Sequence, residues 1–190
     1  MFARTSRLLL RPGWLEDSQA LAQALGDESV VRNLARVPWP YGERDALAWL
    51  TRDRDPNLPD FLIFSRTLGA PRLVGGCGIG RDAEGGLKLG YWIARPYWGL
   101  GFATEAARGV MRIARATGLS GITAGHFLDN PASGNVLRKI GFRPTGQILT
   151  RYSIGRAADV ACAIFEQGEE EDMPRNLHLD LYSDARPLAA

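Results

Sequence analysis

The chain has few cysteines and no long apolar run. Its two cysteines, Cys77 and Cys162, stand 85 residues apart among 190, outside any CxxC or metal-type spacing. This predicts buried free thiols in a reducing compartment, not a disulfide framework or a metal centre. No run approaches the ~18 apolar residues of a membrane helix, and residues 11–13, Arg-Pro-Gly, end the first apolar run after three leucines. We therefore predict neither a membrane span nor a secretory signal, and expect a cytoplasmic location.

Neither sign of charge dominates, although the distribution is uneven. The 23 basic and 21 acidic residues give a net charge of +2, which names no polyanionic partner. Residues 169–190 hold six acidic and two basic residues, so the remaining chain is mildly basic and suits a phosphate-bearing small ligand. No arginine-rich tract with interleaved aromatic residues is present, and no nucleic-acid partner is expected. We divide the chain into one domain, 1–168, and an acidic tail, 169–190.

Hydrophobic periodicity predicts an α/β chain with one mixed sheet and helices on its faces. Helices are predicted over residues 15–25, 30–37, 43–52, 104–117 and 132–140. Strands are predicted over residues 5–11, 61–67, 72–79, 87–94, 122–128, 147–154 and 158–165.

The most informative segment is a glycine-containing junction between a predicted strand and the strongest predicted helix. Residues 95–106 read RPYWGLGFATEA. A helix start leaves about four backbone N–H groups without partners and carries partial positive charge, and glycine lets a phosphate approach those groups closely. A strand-to-helix turn needs flexible residues with or without a ligand, so spacing alone leaves both interpretations open. The functional one is a phosphate cradle built from the amides of Trp98, Gly99, Leu100, Gly101, Phe102 and Ala103.

Other nucleotide-binding loops fit the sequence less well. A dinucleotide fingerprint needs Gly or Ala where this chain has Thr104. Residues 78–83 do match G-x-G-x-x-A, but a turn and a predicted strand follow them instead of a helix. A Walker loop needs Gly-Lys-Ser/Thr, which the sequence lacks.

A second candidate segment, residues 130–142, reads NPASGNVLRKIGF. Asn130 is placed to cap the following helix, and Pro131 suits its first position. Ser133 lies in the first turn, where its hydroxyl can bond the local backbone. Local structure alone thus explains these residues, and a chemical role needs a further argument.

Together the two segments resemble the GCN5-related N-acetyltransferases (GNAT), and more narrowly the RimJ/RimL branch that acetylates ribosomal-protein N-termini. Residues 97–106 resemble the acetyl-CoA loop of this family. The branch pattern N-x-x-S-x-x-V-L-x-K-x-G-F is matched at each fixed position, by Asn130, Ser133, Val136, Leu137, Lys139, Gly141 and Phe142. The resemblance extends over roughly residues 5–166.

The resemblance implies the GNAT fold, a central mixed and mostly antiparallel sheet flanked by helices. It also implies direct transfer of an acetyl group from acetyl-CoA to a primary amine, without a metal. The CoA pyrophosphate would bind the amides of residues 98–103, and the pantetheine arm would pair with strand 87–94. The thioester carbonyl would be polarised by a backbone N–H among Trp92, Ile93 and Ala94.

The resemblance assigns side-chain roles as well. Asn130 would contact the pantetheine arm, and Ser133 would protonate the departing thiolate. Two departures stand out: Pro96 replaces the Gln or Arg of the broad family, and Leu137 replaces a Tyr that many members use as general acid. The second departure favours Ser133 as the general acid, because no tyrosine stands at that position.

The attacking amine must be neutral, and the sequence offers several candidate bases. Glu105 and Asp129 are the carboxylates near the two segments, although Glu105 could serve only to complement the helix N-terminus. His126, on a predicted strand, could act as a base or be structural. An α-amine with a pKa near 8 is about a tenth neutral at pH 7, so bulk water could suffice unaided.

The acceptor itself is left open by the sequence. In this fold family the acceptor enters near the Val37–Gly42 loop, where Trp39 and Tyr41 would form a stiff apolar wall; alternatively, Trp39 anchors the loop in the core. The branch implies a protein N-terminal α-amine. The alternatives are a small amine such as an aminoglycoside or polyamine, and a catalytically silent acyl-CoA-binding module. Such enzymes are often dimers, which leaves a homodimer open.

Overall fold

The computed structural model describes residues 1–67, 69–168 and 180–182. Its helices are α1 (Ser18–Leu25), α2 (Glu28–Val31), α3 (Glu43–Thr51), α4 (Phe102–Ala116) and α5 (Pro131–Lys139), with short 3-10 helices at Leu15–Asp17 and Arg95–Tyr97. Its strands are β1 (Phe2–Arg4), β2 (Leu8–Arg11), β3 (Asp60–Ser65), β4 (Arg72–Arg81), β5 (Leu87–Ile93), β6 (Thr123–Phe127), β7 (Phe142–Ser153), β8 (Ala158–Gln167) and β9 (Asp180–Tyr182).

Within the described residues, nine strands form one sheet in the order β7-β8-β6-β5-β4-β3-β2-β1-β9. Neighbouring strands are antiparallel except β5 and β6, which run parallel and share a single register position, Lys88 opposite Thr123. Beyond that position β5 stays paired with β4, and β6 stays paired with β8. The sheet therefore splits between β5 and β6. The predicted mixed, mostly antiparallel sheet flanked by helices is confirmed.

The two faces of the sheet carry separate apolar cores. On one face, Leu89 and Ile93 of β5 pack with Val110 of α4 and Leu137 of α5. On the other, Trp92 of β5 packs against the core formed with α1 and α3. We call the first the helix-packed face. On the second face, α1 packs against β4. We call the part of this face that is formed by β5, β6, β7 and β8 the open face.

The chain between α2 and α3 differs from its prediction. A helix was expected over residues 30–37, but α2 ends at Val31. The carbonyl of Leu34 instead accepts a hydrogen bond from Ser153 Oγ (3.2 Å), and that of Ala35 accepts one from the Ile154 N–H (2.9 Å). Tertiary bonds to the β7–β8 hairpin thus replace the intrahelical bonds that local periodicity predicted.

The N-terminal segment also differs from its prediction. Of the strand expected over residues 5–11, only Leu8–Arg11 forms a strand, β2; residues 5–7 make a turn, and β1 at Phe2–Arg4 was not predicted. Within the region predicted as an acidic tail, β9 pairs antiparallel with β1, with Phe2 opposite Tyr182 and Arg4 opposite Asp180. The rest of that tail lies outside the described residues.

The prediction of buried free thiols is confirmed, since Cys77 and Cys162 are buried and free.

Candidate active site

The split in the sheet leaves one backbone edge of β5 unpaired. The Ala94 N–H donates to Val74 O (2.9 Å), towards β4. Antiparallel pairing alternates along a strand, so the amide of Trp92 also points to β4, and those of Tyr91 and Ile93 point into the gap towards β6. Of the predicted thioester-binding group Trp92, Ile93 and Ala94, only Ile93 therefore presents its N–H to the gap. Tyr91 is a second such residue that sequence reasoning missed.

The glycine loop follows β5 and leads into α4. Gly99 and Gly101 have φ values of 78° and 79°, a left-handed conformation that favours glycine. Gly101 is the N-cap of α4 and has no side chain to cap the helix. The first bond into the helix is from the Glu105 N–H to Gly101 O (3.1 Å). The amides that precede it are those of Gly99, Leu100, Gly101, Phe102, Ala103 and Thr104.

The loop is open to solvent at its first glycine. A Cβ placed on Gly99 would meet no atom within 4 Å. The amide of Trp98, in contrast, donates to Arg95 O (3.3 Å), and its indole N–H donates to Ile93 O (2.6 Å). Of the predicted phosphate donors, Trp98 is thus occupied by local structure.

Glu105, a candidate base, is bound by the turn between β1 and β2. Its carboxylate accepts hydrogen bonds from Thr5 Oγ1 (2.5 Å), the Arg7 N–H (2.9 Å) and Arg7 Nε (2.7 Å). Burial pushes the pKa of Glu105 upwards, but these donors outweigh it and the net pKa is lowered. Arg7 Nη1 also donates to Leu100 O (2.9 Å). Glu105 and Arg7 therefore link the turn between β1 and β2 to the glycine loop. The sequence does not indicate this role, because Glu105 lies about a hundred positions from Thr5 and Arg7.

Ser133, the candidate acid, lies beside Tyr91 on the helix-packed face. The Tyr91 hydroxyl donates to Ser133 O (2.9 Å) and lies 2.8 Å from Ser133 Oγ. A tyrosine hydroxyl has one proton, so when it bonds the carbonyl, the Ser133 hydroxyl donates to the tyrosine oxygen. Burial raises the pKa of Tyr91, which keeps it protonated. No local sequence pattern indicates this contact, because the two residues are 42 positions apart.

Asn130 caps α5, as local sequence predicted. Its Oδ1 accepts from the Ser133 N–H (3.3 Å), and its carbonyl accepts from the same group (3.2 Å). The cap fixes the first turn of α5 and with it the position of Ser133.

Asp129, the second candidate base, is held in an ion-pair network. Arg156 of the β7–β8 hairpin binds both of its oxygens (2.7 and 3.0 Å), and Arg32 lies 3.3 Å away. The Arg156 hydrogen bonds lower the pKa of Asp129, which makes it a weaker base. The network joins the hairpin to the segment after α2 at the rim of the open face.

His126 faces α5 and not the gap. Its Nδ1 lies 2.8 Å from Phe127 O, the distance of a hydrogen bond. A Cβ on Gly134 would lie 2.6 Å from its Nε2, so the ring fills the space that this glycine leaves. The structural interpretation of His126 fits these contacts.

Trp39 and Tyr41, the predicted acceptor wall, have different environments. Trp39 is 39% exposed, whereas Tyr41 belongs to the core beneath α1 and α3. Within the described residues the buried Tyr41 hydroxyl has no hydrogen-bond partner. Burial and the nearby Asp45 raise its pKa to about 12.

A basic group on the open face was not singled out from the sequence. Lys88 marks the point where β5 and β6 part. On β6, Thr123 lies opposite Lys88 and shares a face with Phe127, because alternate residues of a strand share a face. Phe127 pairs with Cys162 of β8, Cys162 pairs with Leu149 of β7, and Arg151 lies two residues beyond Leu149 on the same face. Lys88 and Arg151 therefore both project on the open face. Arg36, in the segment after α2, acts electrostatically on Lys88, and we call these three residues the cationic recess.

Two features are absent from the part of the chain that the structure describes. It has no group of three or more His, Cys, Asp or Glu side chains able to hold a metal ion. It also has no helix with the length and apolar character that a membrane crossing needs.

Sequence comparison identifies related proteins. A family model described as an acetyltransferase (GNAT) domain matches residues 7–143. The uncharacterised N-acetyltransferase YoaA of Bacillus subtilis is 30% identical over 141 residues, covering 73% of this chain and 68% of that protein. The uncharacterised N-acetyltransferase p20 of Bacillus licheniformis is 29% identical over 164 residues, covering 82% and 90%.

Solved structures share the fold at low identity. A GNAT-family acetyltransferase of Bacillus anthracis superposes with a TM-score of 0.73 at 21% identity, covering 87% of this chain and 97% of that one. The microcin C7 self-immunity acetyltransferase MccE, solved with acetyl-CoA and AMP, gives 0.71 at 16%, covering 86% and 93%. RimL, a ribosomal L7/L12 α-N-protein acetyltransferase, gives 0.70 at 16%, covering 88% and 95%.

The split sheet and the matched region define an acyl-CoA N-acyltransferase domain. The chain belongs to the GNAT acetyltransferase family, as the two sequence motifs indicated, and is an N-acetyltransferase.

Proposed function

We propose that this N-acetyltransferase moves the acetyl group of acetyl-CoA to the N-terminal α-amine of a peptide or protein. The observation that carries the proposal is the continuity of the gap between β5 and β6. It runs from the amides at the start of α4, along the free edge of β5, to the Ser133–Tyr91 pair.

The residues along this gap fit acetyl-CoA. The uncapped start of α4 and the open Gly99 offer N–H groups to the pyrophosphate. Arg7 adds a cation, since its Nη2 lies 3.5 Å from where a Cβ of Gly101 would be. The free edge of β5 offers the Tyr91 and Ile93 amides to the pantetheine arm, as a neighbouring strand would use them.

The chemistry needs one bond made and one broken. The acceptor nitrogen attacks the thioester carbonyl carbon, and the carbon–sulfur bond then breaks. A β5 amide at the gap, from Tyr91 or Ile93, stabilises the carbonyl oxygen as it gains negative charge. Ser133 donates its proton to the departing sulfur, and the Tyr91 hydroxyl holds Ser133 in position. The proton that the amine loses passes through water to Ser133 and restores its hydroxyl, so the products are the amide and the free CoA thiol.

The state of the two carboxylates favours an α-amine as the acceptor. Glu105 and Asp129 are both ion-paired and both have lowered pKa values, so neither is a strong base. At pH 7 an α-amine is about a tenth neutral, whereas a lysine is neutral in about one molecule in a few thousand. The α-amine is therefore the acceptor that needs least help.

The charge of the open face argues against aminoglycosides and polyamines. Lys88, Arg36 and Arg151 would repel a polycation that approached the gap from that side. Within residues 1–67 and 69–168 none of these three cations forms an ion pair, and the effect of Asp82 on Lys88 is the smallest of those that act on it.

The first test is thermal unfolding with acetyl-CoA, with NAD and ATP as controls. A ligand at 100 times its Kd stabilises by about 2.7 kcal/mol, which for this size corresponds to a rise in Tm of about 5–10 °C. A rise with acetyl-CoA alone supports the cofactor assignment, and no rise at saturation overturns it. Release of free CoA with a panel of peptides then tests turnover. Binding without release from any amine would instead favour an acyl-CoA-binding module.

We also propose that the enzyme is cytoplasmic and that residues 1–168 form a single catalytic domain. Size-exclusion chromatography with light scattering will distinguish a monomer from the homodimer that the family resemblance leaves open.

A further inference from the structure

The cationic recess is a group of positive charges without carboxylate partners. Lys88 and Arg151 are half-buried, and Arg36 is exposed beside them. Within residues 1–67 and 69–168 none of the three forms an ion pair, and the buried Nε of Arg151 has no hydrogen-bond partner. A buried donor without a partner costs free energy, and an anion bound in the recess would supply the missing acceptor.

The electrostatics agree with this geometry. Burial lowers the pKa of Lys88 most, and the charges of Arg151 and, to a lesser degree, Arg36 lower it further, against opposing effects of Cys162 and Asp82. Across the recess, the same Lys88 and Arg151 charges partly offset the effect of burial on Cys162. The cations are thus close enough to act on one another, and an anion placed among them would relieve their repulsion.

The recess also lies where the acceptor must arrive. The helix-packed face of the gap is covered by α4 and α5, whose side chains fill the core there. Ser133 protonates the sulfur from that side, which leaves the open face to the attacking amine. Lys88 stands at the vertex of the gap on this open face, next to the end of the free β5 edge along which the pantetheine arm would lie.

We propose that the cationic recess binds a negative group of the acceptor close to its amine, and that the preferred acceptors are peptides whose N-terminal residue is followed by Asp or Glu. This inference rests on the proposed N-acetyltransferase function and specifies its substrate class. The shared chemistry is a primary amine with a nearby carboxylate, which a small amino acid could also supply.

The test compares acceptors that differ in charge alone. Peptides that begin Ser-Asp-Glu, Ser-Asn-Gln and Ser-Lys-Lys are assayed for CoA release, together with β-alanine and its amide. A charge-assisted hydrogen bond to a half-buried arginine predicts a kcat/KM about tenfold or more higher for the acidic peptide than for the neutral one. The small pair distinguishes a peptide from a free amino acid as the source of the carboxylate.

Variants then assign the preference to the recess. Arg151→Gln and Lys88→Met should reduce the acidic-to-neutral ratio to about threefold or less, since each removes one of the charges. Arg72→Gln removes an exposed arginine at the start of β4, far along the sheet from β7, and should leave the ratio unchanged. Salt should lower kcat/KM for the acidic peptide more than for the neutral one.

A binding measurement separates this inference from the proposed function. Fluorescence anisotropy with the N-acetylated acidic peptide, the expected product, reports the recess without any turnover. Binding that Arg151→Gln weakens supports the recess even if no amine is acetylated, a result that would overturn the catalytic proposal alone. Turnover with equal kcat/KM for acidic and neutral peptides overturns the recess and leaves the proposed function intact. A preference for β-alanine over the acidic peptide overturns the peptide assignment.

Discussion

Removing the Ser133 hydroxyl should slow acetyl transfer without unfolding the protein. Ser133→Ala deletes the group proposed to protonate the sulfur. A general acid contributes typically 10²–10⁴-fold. Because a thiol has a reference pKa of about 8.5 and leaves readily as thiolate, we expect the low end, a fall in kcat of about 100-fold. The KM for acetyl-CoA should change little, since the glycine loop is untouched.

The neighbouring hydroxyl gives the same prediction an internal check. Tyr91→Phe removes the bond to Ser133 O and the contact at 2.8 Å with Ser133 Oγ. A net loss of about 1.4 kcal/mol of positioning corresponds to about tenfold in kcat. If Tyr91 acts through Ser133, the double variant should be no slower than Ser133→Ala alone. Multiplying effects would instead assign Tyr91 a role of its own.

The assay is steady-state CoA release at saturating peptide, with Tm measured for each variant. The lost bond to Ser133 O should lower the Tm of Tyr91→Phe by only about 2–4 °C. Ser120→Ala, at an exposed position, is the matched control and should behave as wild type. A kcat for Ser133→Ala within twofold of wild type would refute the acid assignment.

Three further predictions concern the residues around the gap. Glu105→Gln should lower stability by about 1–3 kcal/mol, measured by urea unfolding, while Glu16→Gln, an exposed control, should not. Because the folded pKa of Glu105 is lowered, this difference should be full at neutral pH and disappear as the pH falls through that pKa, below the usual range of a glutamate. Gly99→Ala should weaken acetyl-CoA binding by about tenfold, as a left-handed alanine costs about 1–2 kcal/mol. Gly85→Ala carries the same strain, with φ 84° in the β4–β5 turn, and should leave acetyl-CoA binding unaffected. Asp129→Asn should preserve the pH profile of kcat, because a carboxylate with a lowered pKa is not the base; loss of the acidic limb of that profile, where protonation of a base lowers kcat, would contradict this.

The two motifs could be read from the sequence because each is local. The start of α4 at Gly101–Phe102 and the cap of α5 by Asn130 depend on residues within a few positions of one another. Alternating and helical periodicity likewise located most strands and helices, since burial of one face dictates the pattern. Where long-range bonds replaced local ones, as after Val31, the prediction was wrong.

The candidate site was only partly accessible from the sequence, for the same reason. Glu105 is a first-turn carboxylate by sequence, and nothing local reveals that Thr5 and Arg7 bind it across about a hundred positions. Tyr91 lies in an ordinary strand pattern, and its contact with Ser133 exists only because β5 and α5 meet at the split.

By itself, the sequence determined the family, the glycine loop, the capped helix with Ser133 and the order of most elements, because short-range hydrogen bonding and periodic burial depend on residues close together in the chain. The tertiary structure alone decided which β5 amides face the gap, which carboxylates are already paired, and that Lys88 and Arg151 share a face. Those features depend on strand register and on the divergence of β5 from β6, and register is a property of whole strands brought together, not of any one segment.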